Sequence, residues 1–524
     1  MEGRLYLLFS PLKLQSLNVA LESYHESRHF SPRAHISFPQ ARKLGLDRTK
    51  IRKISIFSSV ITQAKPNSKR FLNRCVKTST LKFKYVEVEQ TRDYWMLFAS
   101  KFPWKYMFLR PLLRGINHAK QVQFSCQTCI NDHMIKYLLT DIGNLKFLRH
   151  LKWDIDFWCD PIDITDKSLK YLGRTLSKIT LLEKLDIRIA RHNFTEVGFQ
   201  AFCDYFHRLG NLKILSLKFY RFLAFVFDTN NTLGNDVYAH RTLNKISPNL
   251  IQLKQLNFFK LVQIPISSDA IIDFCKWAPR SLKGLNILMT NTWIDDKAVD
   301  CVRELIKELH NLESLKLNLR FAYQVSNKPI SSLFYINKCY ELKQFKLDLS
   351  LNSTLEDTQL TDLSNMISKM KSLKVLSLRF SYLKFSPSAY EVFFESLANL
   401  LSLQQLKLVF DHTEMDERGL KVFNKSARML NNLKRMILNF SSTQLTSLPL
   451  DLSGEVCPQL RDFEIYLNEV FVSKSQIYDL IASISKKFSI QNVLIEIGRR
   501  EDRHLVRDFM NSKFCRSNTQ FQLI

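Results

Sequence analysis

Glycine is scarce in this sequence, with 12 residues in a chain of 524. Loops that hold phosphate groups need glycine, because the backbone must come close to the ligand. Neither Gly-x-x-x-x-Gly-Lys-Ser/Thr nor Gly-x-Gly-x-x-Gly occurs, and the hydrolase and protease motifs Gly-x-Ser-x-Gly and His-Glu-x-x-His are missing too. We therefore expect no cofactor and no enzymatic activity.

Long apolar runs are also missing. No stretch of about eighteen consecutive apolar residues exists, so no membrane span is expected. The apolar residues Leu5 to Phe9 are too few and too poorly flanked for a secretory signal. Together these features predict an intracellular, cytoplasmic protein.

The cysteines show no metal-binding arrangement. There are 10 in the chain, and Cys126 and Cys129 form the one Cys-x-x-Cys pair. A structural zinc ion needs a second pair of ligands nearby, and the neighbouring histidines do not have that spacing. We expect no metal centre, and scattered thiols fit a reducing compartment.

Acidic residues are outnumbered. The chain has 76 Lys and Arg against 49 Asp and Glu, a net charge of +27. Residues 1–110 are the most basic part, with 21 Lys and Arg against 7 Asp and Glu. Such a density can attract nucleic acid or an anionic membrane surface, or it can be the solvated face of a basic cap.

A pattern that repeats about every thirty residues dominates the rest of the chain. Its strand part reads Leu-x-x-Leu-x-Leu-x-Leu/Phe, as in Leu312/Leu315/Leu317/Leu319 and Leu403/Leu406/Leu408/Phe410. We call the first residue of each copy the marker, and a degenerate copy begins at Ala119. The other markers are Leu148, Leu182, Leu212, Leu253, Leu282, Leu312, Leu342, Leu373, Leu403, Leu433, Leu460 and Ile490.

A helical pattern precedes the strand pattern at a fixed distance. Apolar residues stand thirteen, ten, six and three places before the marker, as in Leu420/Phe423/Ala427/Leu430. Steps of three and four place them on one helical stripe, whereas the strand has a period of two. Each of about thirteen units is therefore predicted to be one strand and one helix, and a fixed period of this kind indicates a solenoid.

These motifs resemble the leucine-rich-repeat superfamily, in particular its helix-bearing, ribonuclease-inhibitor-like subclass with repeats of about thirty residues. The family usually places an asparagine after the strand, and here that position is rarely asparagine. We therefore expect turns that are less regular than in the family. The resemblance implies an α/β solenoid that binds another protein, and some relatives recruit substrates or regulate GTPases.

Unequal widths of the two elements predict curvature. Parallel strands stack about 4.8 Å apart, whereas helices with their side chains are about 10 Å across. The array should bend into an arc or horseshoe with a concave parallel sheet and convex helices. We expect residues 116–500 to form this solenoid, with a loop insertion near 221–236. Residues 1–115 would form a basic N-terminal cap with degenerate repeats, and residues 501–524 a C-terminal cap.

The strand residues between the buried leucines should face outward on the concave side. Basic residues predicted there are Lys152, Arg188, Lys218, Lys316, Lys346, Arg379 and Lys407, and acidic ones are Asp154, Asp186, Asp348, Glu464 and Glu496. Four of the basic residues come from consecutive units, and we expect them to form one short row interrupted by Asp348. Lys316, Lys346, Arg379 and Lys407 are thus the predicted protein-binding residues, with an acidic protein surface as the partner.

The sequence therefore favours an intracellular scaffold or adaptor that binds another protein through its concave face. The first alternative is association with nucleic acid or an anionic membrane through the basic N-terminal region. The second, implied by the resemblance alone, is a substrate-recruiting or GTPase-regulating role.

Overall fold

A computed structural model of the chain describes residues 17–18, 53–57, 80–85, 120–126, 131–155, 164–190, 194–220, 246–264, 268–288, 294–320, 325–336, 340–453, 456–487, 489–498 and 520–523. The strands are β1 Leu17–Asn18, β2 Lys53–Phe57, β3 Thr80–Tyr85, β4 Gln121–Cys126, β5 His150–Ile155, β6 Lys184–Ala190, β7 Ile214–Tyr220, β8 Phe258–Ile264, β9 Gly284–Leu288, β10 Ser314–Asn318, β11 Gln344–Asp348, β12 Val375–Arg379, β13 Gln405–Val409, β14 Arg435–Asn439, β15 Asp462–Tyr466, β16 Asn492–Glu496 and β17 Gln520–Leu523. The helices are α1 Asp132–Ile142, α2 Asp166–Leu176, α3 Glu196–Cys203, α4 Ser268–Trp277, α5 Asp296–Glu308, α6 Asn327–Phe334, α7 Asp357–Lys369, α8 Pro387–Leu397, α9 Glu417–Ala427 and α10 Lys474–Ser485.

The chain divides into two compact units, Met1–Gln263 and Ile264–Ile524. In the first unit, β1 to β7 pair in chain order, and every pair is parallel. In the second unit, β9 to β17 pair in the same way. Because helices alternate with these parallel strands, each unit is an α/β leucine-rich-repeat solenoid, and the predicted fold class is confirmed.

The strand register follows the repeat. Leu315 pairs with Phe345, and Leu376 pairs with Leu406, so equivalent positions of neighbouring units lie side by side. The residue after each marker also donates its N–H to the same carbonyl of the preceding unit, as Lys374 does to Lys343 at 2.8 Å. The strand motif therefore predicted the register of all but one of the markers from Leu148 onward.

The exception is the unit that follows the long step in the repeat. Asn257 donates its N–H to the carbonyl of Lys213 at 2.8 Å, which is the bond that the residue after a marker makes. The marker of this unit is therefore Leu256, and the prediction of Leu253 is wrong by three residues. Leu253 instead occupies the last position of the helical stripe. The predicted insertion at 221–236 lies outside the described residues.

The core lies between the sheet and the helices. The stripe residues Leu420 and Phe423 of α9 are fully buried, as are the strand residues Leu406 and Leu408. Aromatic rings at the ends of successive strands also stack, with the centroids of Phe410 and Phe440 6.1 Å apart. Since each repeat packs against the next repeat, burial is continuous along each solenoid.

The turns after the strands of the second unit are regular. The residue nine places after the marker has a left-handed backbone in five repeats of this unit, with φ between 55° and 64°. The N–H of this residue donates to a carbonyl of the next repeat, as His412 does to Ser441 O at 3.0 Å. The expectation of less regular turns is therefore wrong here. The five residues are Leu351, Tyr382, His412, Ser442 and Glu469.

A buried asparagine in the segment after β11 stabilises one of these turns. The buried Asn352 donates its Nδ2 to Leu319 O of the preceding unit at 2.9 Å and to Leu349 O of its own unit at 2.7 Å. In two later units a buried threonine donates to the carbonyl three residues before it, as Thr413 does to Phe410 O at 2.7 Å. Side chains of the turns thus satisfy carbonyl groups of the turn backbone.

The parallel sheet continues into both predicted caps. Strands β2 and β3 fall within residues 1–115, and β17 falls within residues 501–524. The boundaries proposed for the caps and for the solenoid stay predictions. Within the described residues, no helix is long and apolar enough to cross a membrane.

Candidate functional site

The candidate site is the open face of the sheet in the second unit. Strands β10 to β16 bury alternate residues, and the side chains between them point away from the core. We call this surface the open sheet face. In each strand it is formed by the residues two, four and six places after the marker.

The strand register fixes the positions of the four predicted binding residues. Lys316 pairs with Lys346, Lys346 with Ser377, and Ser377 with Lys407, so three of the four lysine and arginine residues share one row. Arg379 stands in the adjacent row, between Asp348 and Val409. The prediction of a single row is wrong for Arg379. All four residues do lie on the open sheet face of four successive strands, and we call them the basic patch.

The basic patch is not neutralised by the surrounding protein. Among the residues that the structure describes, Lys316, Lys346, Arg379 and Lys407 have no ion-pair partner within 4.0 Å. In the first unit the corresponding cations are paired. Lys218 Nζ lies 3.0 Å from Asp186, and Arg188 lies 3.7 Å from Asp154. The basic patch therefore has charge available for an external anion, whereas Lys218 and Arg188 of the first unit are paired with carboxylates.

The nearest acid does little to change this. Asp348 is buried and accepts hydrogen bonds from Asn318 Nδ2 at 3.2 Å and from the N–H of Ser350 at 3.1 Å. Both of these donors are neutral, so they hold the carboxylate in the sheet without adding a cation. Asp348 lowers the local positive charge by one, against the four cations of the basic patch.

The pKa values of two lysines record the crowding. Partial burial lowers the pKa of Lys316, and the nearby charges of Lys346 and Arg379 lower it further. Burial likewise lowers the pKa of Lys407, with Arg379 as the next cause. Desolvation and like charges both disfavour the protonated amine. An anion that binds the basic patch would relieve this repulsion.

The acidic, histidine and cysteine side chains of the described residues form no metal-binding group. The described residues contain no group of three or more His, Cys, Asp or Glu that could hold a metal ion. Of the predicted Cys-x-x-Cys pair, Cys129 lies outside the described residues. Cys203, Cys275, Cys301 and Cys457 are free thiols, and burial raises the pKa of Cys457 to about 12. A thiol of that kind behaves as an apolar core residue.

Sequence reasoning found the sheet face but missed the aspartates that link the start of one helix to the start of the next. Asp295 caps α5, because its carboxylate accepts the N–H of Ala298 at 3.0 Å. The neighbouring Asp296 instead accepts the N–H and the hydroxyl of Ser326 in the next unit, at 2.6 and 2.7 Å. Asp166 makes the same pair of bonds to Thr195. A Ser or Thr about thirty residues after a helix-starting Asp is the signal that could have found these bonds.

No protein-family model matches this chain, and a search of curated proteins gives no match either. Among solved structures, an internalin from Listeria monocytogenes is similar over 79% of this chain and 88% of that chain, with 16% identity and a TM-score of 0.37. A chain of the Rad7 and Elc1 complex in yeast is similar over 84% of this chain and 88% of that chain, with 14% identity and a TM-score of 0.44. Likenesses this distant say nothing about function.

Proposed function

We propose that this protein is a leucine-rich-repeat scaffold that binds another protein through the open sheet face of its second unit. The partner presents an acidic surface to the basic patch. The observation that carries the proposal is the set of four cations on successive strands that no described residue neutralises. On the sheet of the first unit, by contrast, Arg188 and Lys218 are paired with carboxylates.

The repeat supplies a rigid support for such binding. Each strand of the basic patch is hydrogen-bonded to a neighbour on both sides, so the backbone under it is fixed. Lys316, Lys346 and Lys407 are also half-buried, which limits the freedom that their side chains lose on binding. Charge complementarity on such a surface mainly raises the association rate and the specificity.

The same proposal includes the subclass and the compartment. Most described units carry one helix of 8 to 13 residues for a repeat of about thirty, which supports the ribonuclease-inhibitor-like subclass. The free thiols support a reducing, intracellular setting, and we propose the cytoplasm. Substrate recruitment and GTPase regulation are narrower forms of the same binding function. The nucleic-acid or membrane alternative depends on side chains of residues 1–115 and stays a prediction.

The test reverses the basic patch and compares it with a matched control. In one variant Lys316, Lys346, Arg379 and Lys407 become Glu. In the other, four exposed helix lysines, Lys297, Lys328, Lys421 and Lys425, become Glu, which changes the net charge by the same amount. Both variants and the unchanged protein are used as bait in affinity purification from their native cells, after circular dichroism has shown equal folding.

We expect proteins that bind the unchanged protein and the control to be depleted on the order of 10-fold with the reversed patch, because attraction becomes repulsion at four sites. Recovery of the same proteins in the same amounts with all three baits would contradict the proposal. Depletion with both variants alike would assign the effect to net charge and not to the open sheet face.

A further inference from the structure

The open sheet face of the second unit changes sign from one end to the other. Strands β10 to β13 carry the basic patch. Strands β15 and β16 carry Asp462, Glu464 and Glu496 on the same face. The two groups lie in one continuous parallel ladder, because β13 pairs with β14, β14 with β15 and β15 with β16. A ligand that crosses these strands therefore meets cations first and carboxylates later.

The acidic end keeps two carboxylates that no cation neutralises. Glu464 is paired with Arg435 at 2.6 Å. Asp462 accepts a hydrogen bond from Asn492 Nδ2 at 2.5 Å, and Glu496 accepts one from Asn468 Nδ2 at 2.7 Å. Both donors are neutral amides. Neither Asp462 nor Glu496 has an ion-pair partner among the residues that the structure describes.

Between the charged ends, the open sheet face of β14 carries Arg435, which is paired with Glu464, the apolar Ile437 and Asn439. Lys407 of β13 pairs with Ile437 of β14, and Arg379 of β12 pairs with Val409 of β13. Val409 is buried in the core, so Ile437, which is part-exposed, is the apolar residue that borders the basic patch on the side of the acidic end. An apolar side chain of a ligand could bury area here while the charged side chains engage the two ends.

The titration behaviour of the two ends is opposite, as the charges require. Cations lower the pKa values of Lys316 and Lys407 at one end, in addition to burial. At the other end burial raises the pKa of Tyr466, and the carboxylates of Glu464 and Glu496 raise it further. The potential on the open sheet face is therefore positive over β10 to β13 and negative over β15 and β16.

We infer that the bound element of the partner is a linear, bipolar peptide segment that crosses the strands in one direction, with acidic residues over the basic patch, an apolar residue over Ile437, and basic residues over Asp462 and Glu496. This inference rests on the proposed function and adds the order of charges in the ligand. Six strand spacings of about 4.8 Å separate β10 from β16, roughly 29 Å in all. An extended peptide covers this distance with about nine residues.

The experiment is an unbiased selection from a phage-displayed library of random nine-residue peptides against the full chain. Parallel selections use two variants of the full chain. One has the basic patch reversed to Glu, and the other carries Asp462→Lys and Glu496→Lys. Enriched sequences are compared position by position between the three selections.

We expect the unchanged chain to enrich peptides with acidic residues at one end and basic residues at the other, and each variant to lose them. Enrichment of peptides that are acidic throughout, lost only with the reversed patch, would overturn the inference and leave the proposed function standing. Enrichment that depends on neither end, or no enrichment above an empty support, would overturn both.

A charge exchange gives the inference a second test. The affinity of the best bipolar peptide, measured by fluorescence anisotropy, should fall about 5-fold or more for the variant Asp462→Lys/Glu496→Lys, since exposed charge pairs contribute modestly. A peptide whose basic end is replaced by Glu should regain that affinity on the variant and not on the unchanged chain. A peptide that binds both chains equally would place its basic end elsewhere and contradict the inference.

Discussion

At the scale of single residues, the molecule uses aspartates to join successive helices. Asp296 starts α5, and its carboxylate accepts two hydrogen bonds from Ser326, the N-cap residue of α6. A charged acceptor at a helix terminus also complements the helix dipole. Asp357 accepts the N–H of Ser386 at 2.7 Å in the same way, one helix pair further along. One residue thus serves its own helix and the next.

Replacing Asp296 by Ala should therefore lower the free energy of unfolding by about 1–2 kcal/mol, because two hydrogen bonds to a charged group are lost. The matched control is Asp300→Ala on the same helix. Asp300 pairs only with Arg303 of its own helix, at 3.1 Å, and such a surface pair contributes a few tenths of a kcal/mol at about room temperature. Thermal unfolding checks this, and equal shifts for the two variants would contradict the joining role.

The basic patch makes a prediction of its own at this scale. Lys346→Met should raise the pKa values of Lys316 and Lys407, because the charge of Lys346 is among the causes that lower both. A lysine whose pKa is lowered on folding binds fewer protons than in the unfolded chain, so its contribution to stability rises as the pH rises through the folded pKa. That rise should be smaller in the variant.

Lysine side-chain NMR titration measures these pKa values directly. Lys421→Met, on the helix α9 and outside the open sheet face, is the control and should leave both pKa values unchanged. Unchanged pKa values for Lys316 and Lys407 in Lys346→Met would mean that the charge of Lys346 does not lower them. The repulsion among the lysines of the basic patch, which favours anion binding, would then lack support.

At the scale of elements, one repeat lacks its helix. The repeat step between Leu433 and Leu460 is a short one, and the described part of residues 440–461 contains no helix. A buried lysine stabilises the irregular segment. Lys487 lies just after α10, and its Nζ donates to the carbonyl oxygens of Leu452 at 3.2 Å and of Val456. Burial of the amine lowers its pKa.

Lys487→Met should destabilise this segment, since at least two buried carbonyl oxygens lose their donor and each costs about 1–3 kcal/mol. Hydrogen exchange measured by mass spectrometry should show faster exchange within residues 446–457 before any other described part of the second unit changes. Lys486→Met is the neighbouring control, because Lys486 lies on the helix end and is exposed. Equal exchange rates in the two variants would contradict the role of Lys487 in stabilising this segment.

The elements were largely predictable from the sequence, and the misses have physical reasons. Leu250, Leu253 and Leu256 are spaced by three, so once the insertion broke the thirty-residue step, only the bond from Asn257 to Lys213 O could identify the marker. The period-two alternation of the strand pattern placed Lys316 and Arg379 on one face. Arg379, however, stands six places after its marker and Lys316 four places after its own, so the two residues lie in different rows. Whether a cation is paired depends on side chains about thirty residues away, which no local pattern contains.

At the scale of the whole molecule, a solenoid distributes its stability along the chain. Each repeat contacts the repeats beside it, so the loss of one contact should weaken the nearby repeats most. Phe410 is the best place to examine this, because it is fully buried and its ring centroid lies 5.5 Å from Phe380 and 6.1 Å from Phe440, in the units before and after. A defect there touches three units at once.

Phe410→Ala should cost about 3–5 kcal/mol locally, from lost burial and the cavity left behind. Hydrogen exchange should accelerate in β12, β13 and β14 and fall back to its normal rate toward β10, while β5 to β7 of the first unit keep theirs. Tyr382→Ala is the control, because Tyr382 is 47% exposed and stacks only on His412, 4.3 Å between centroids. Uniform acceleration over both units would show all-or-none unfolding, in which case local contacts could not be assigned local energies.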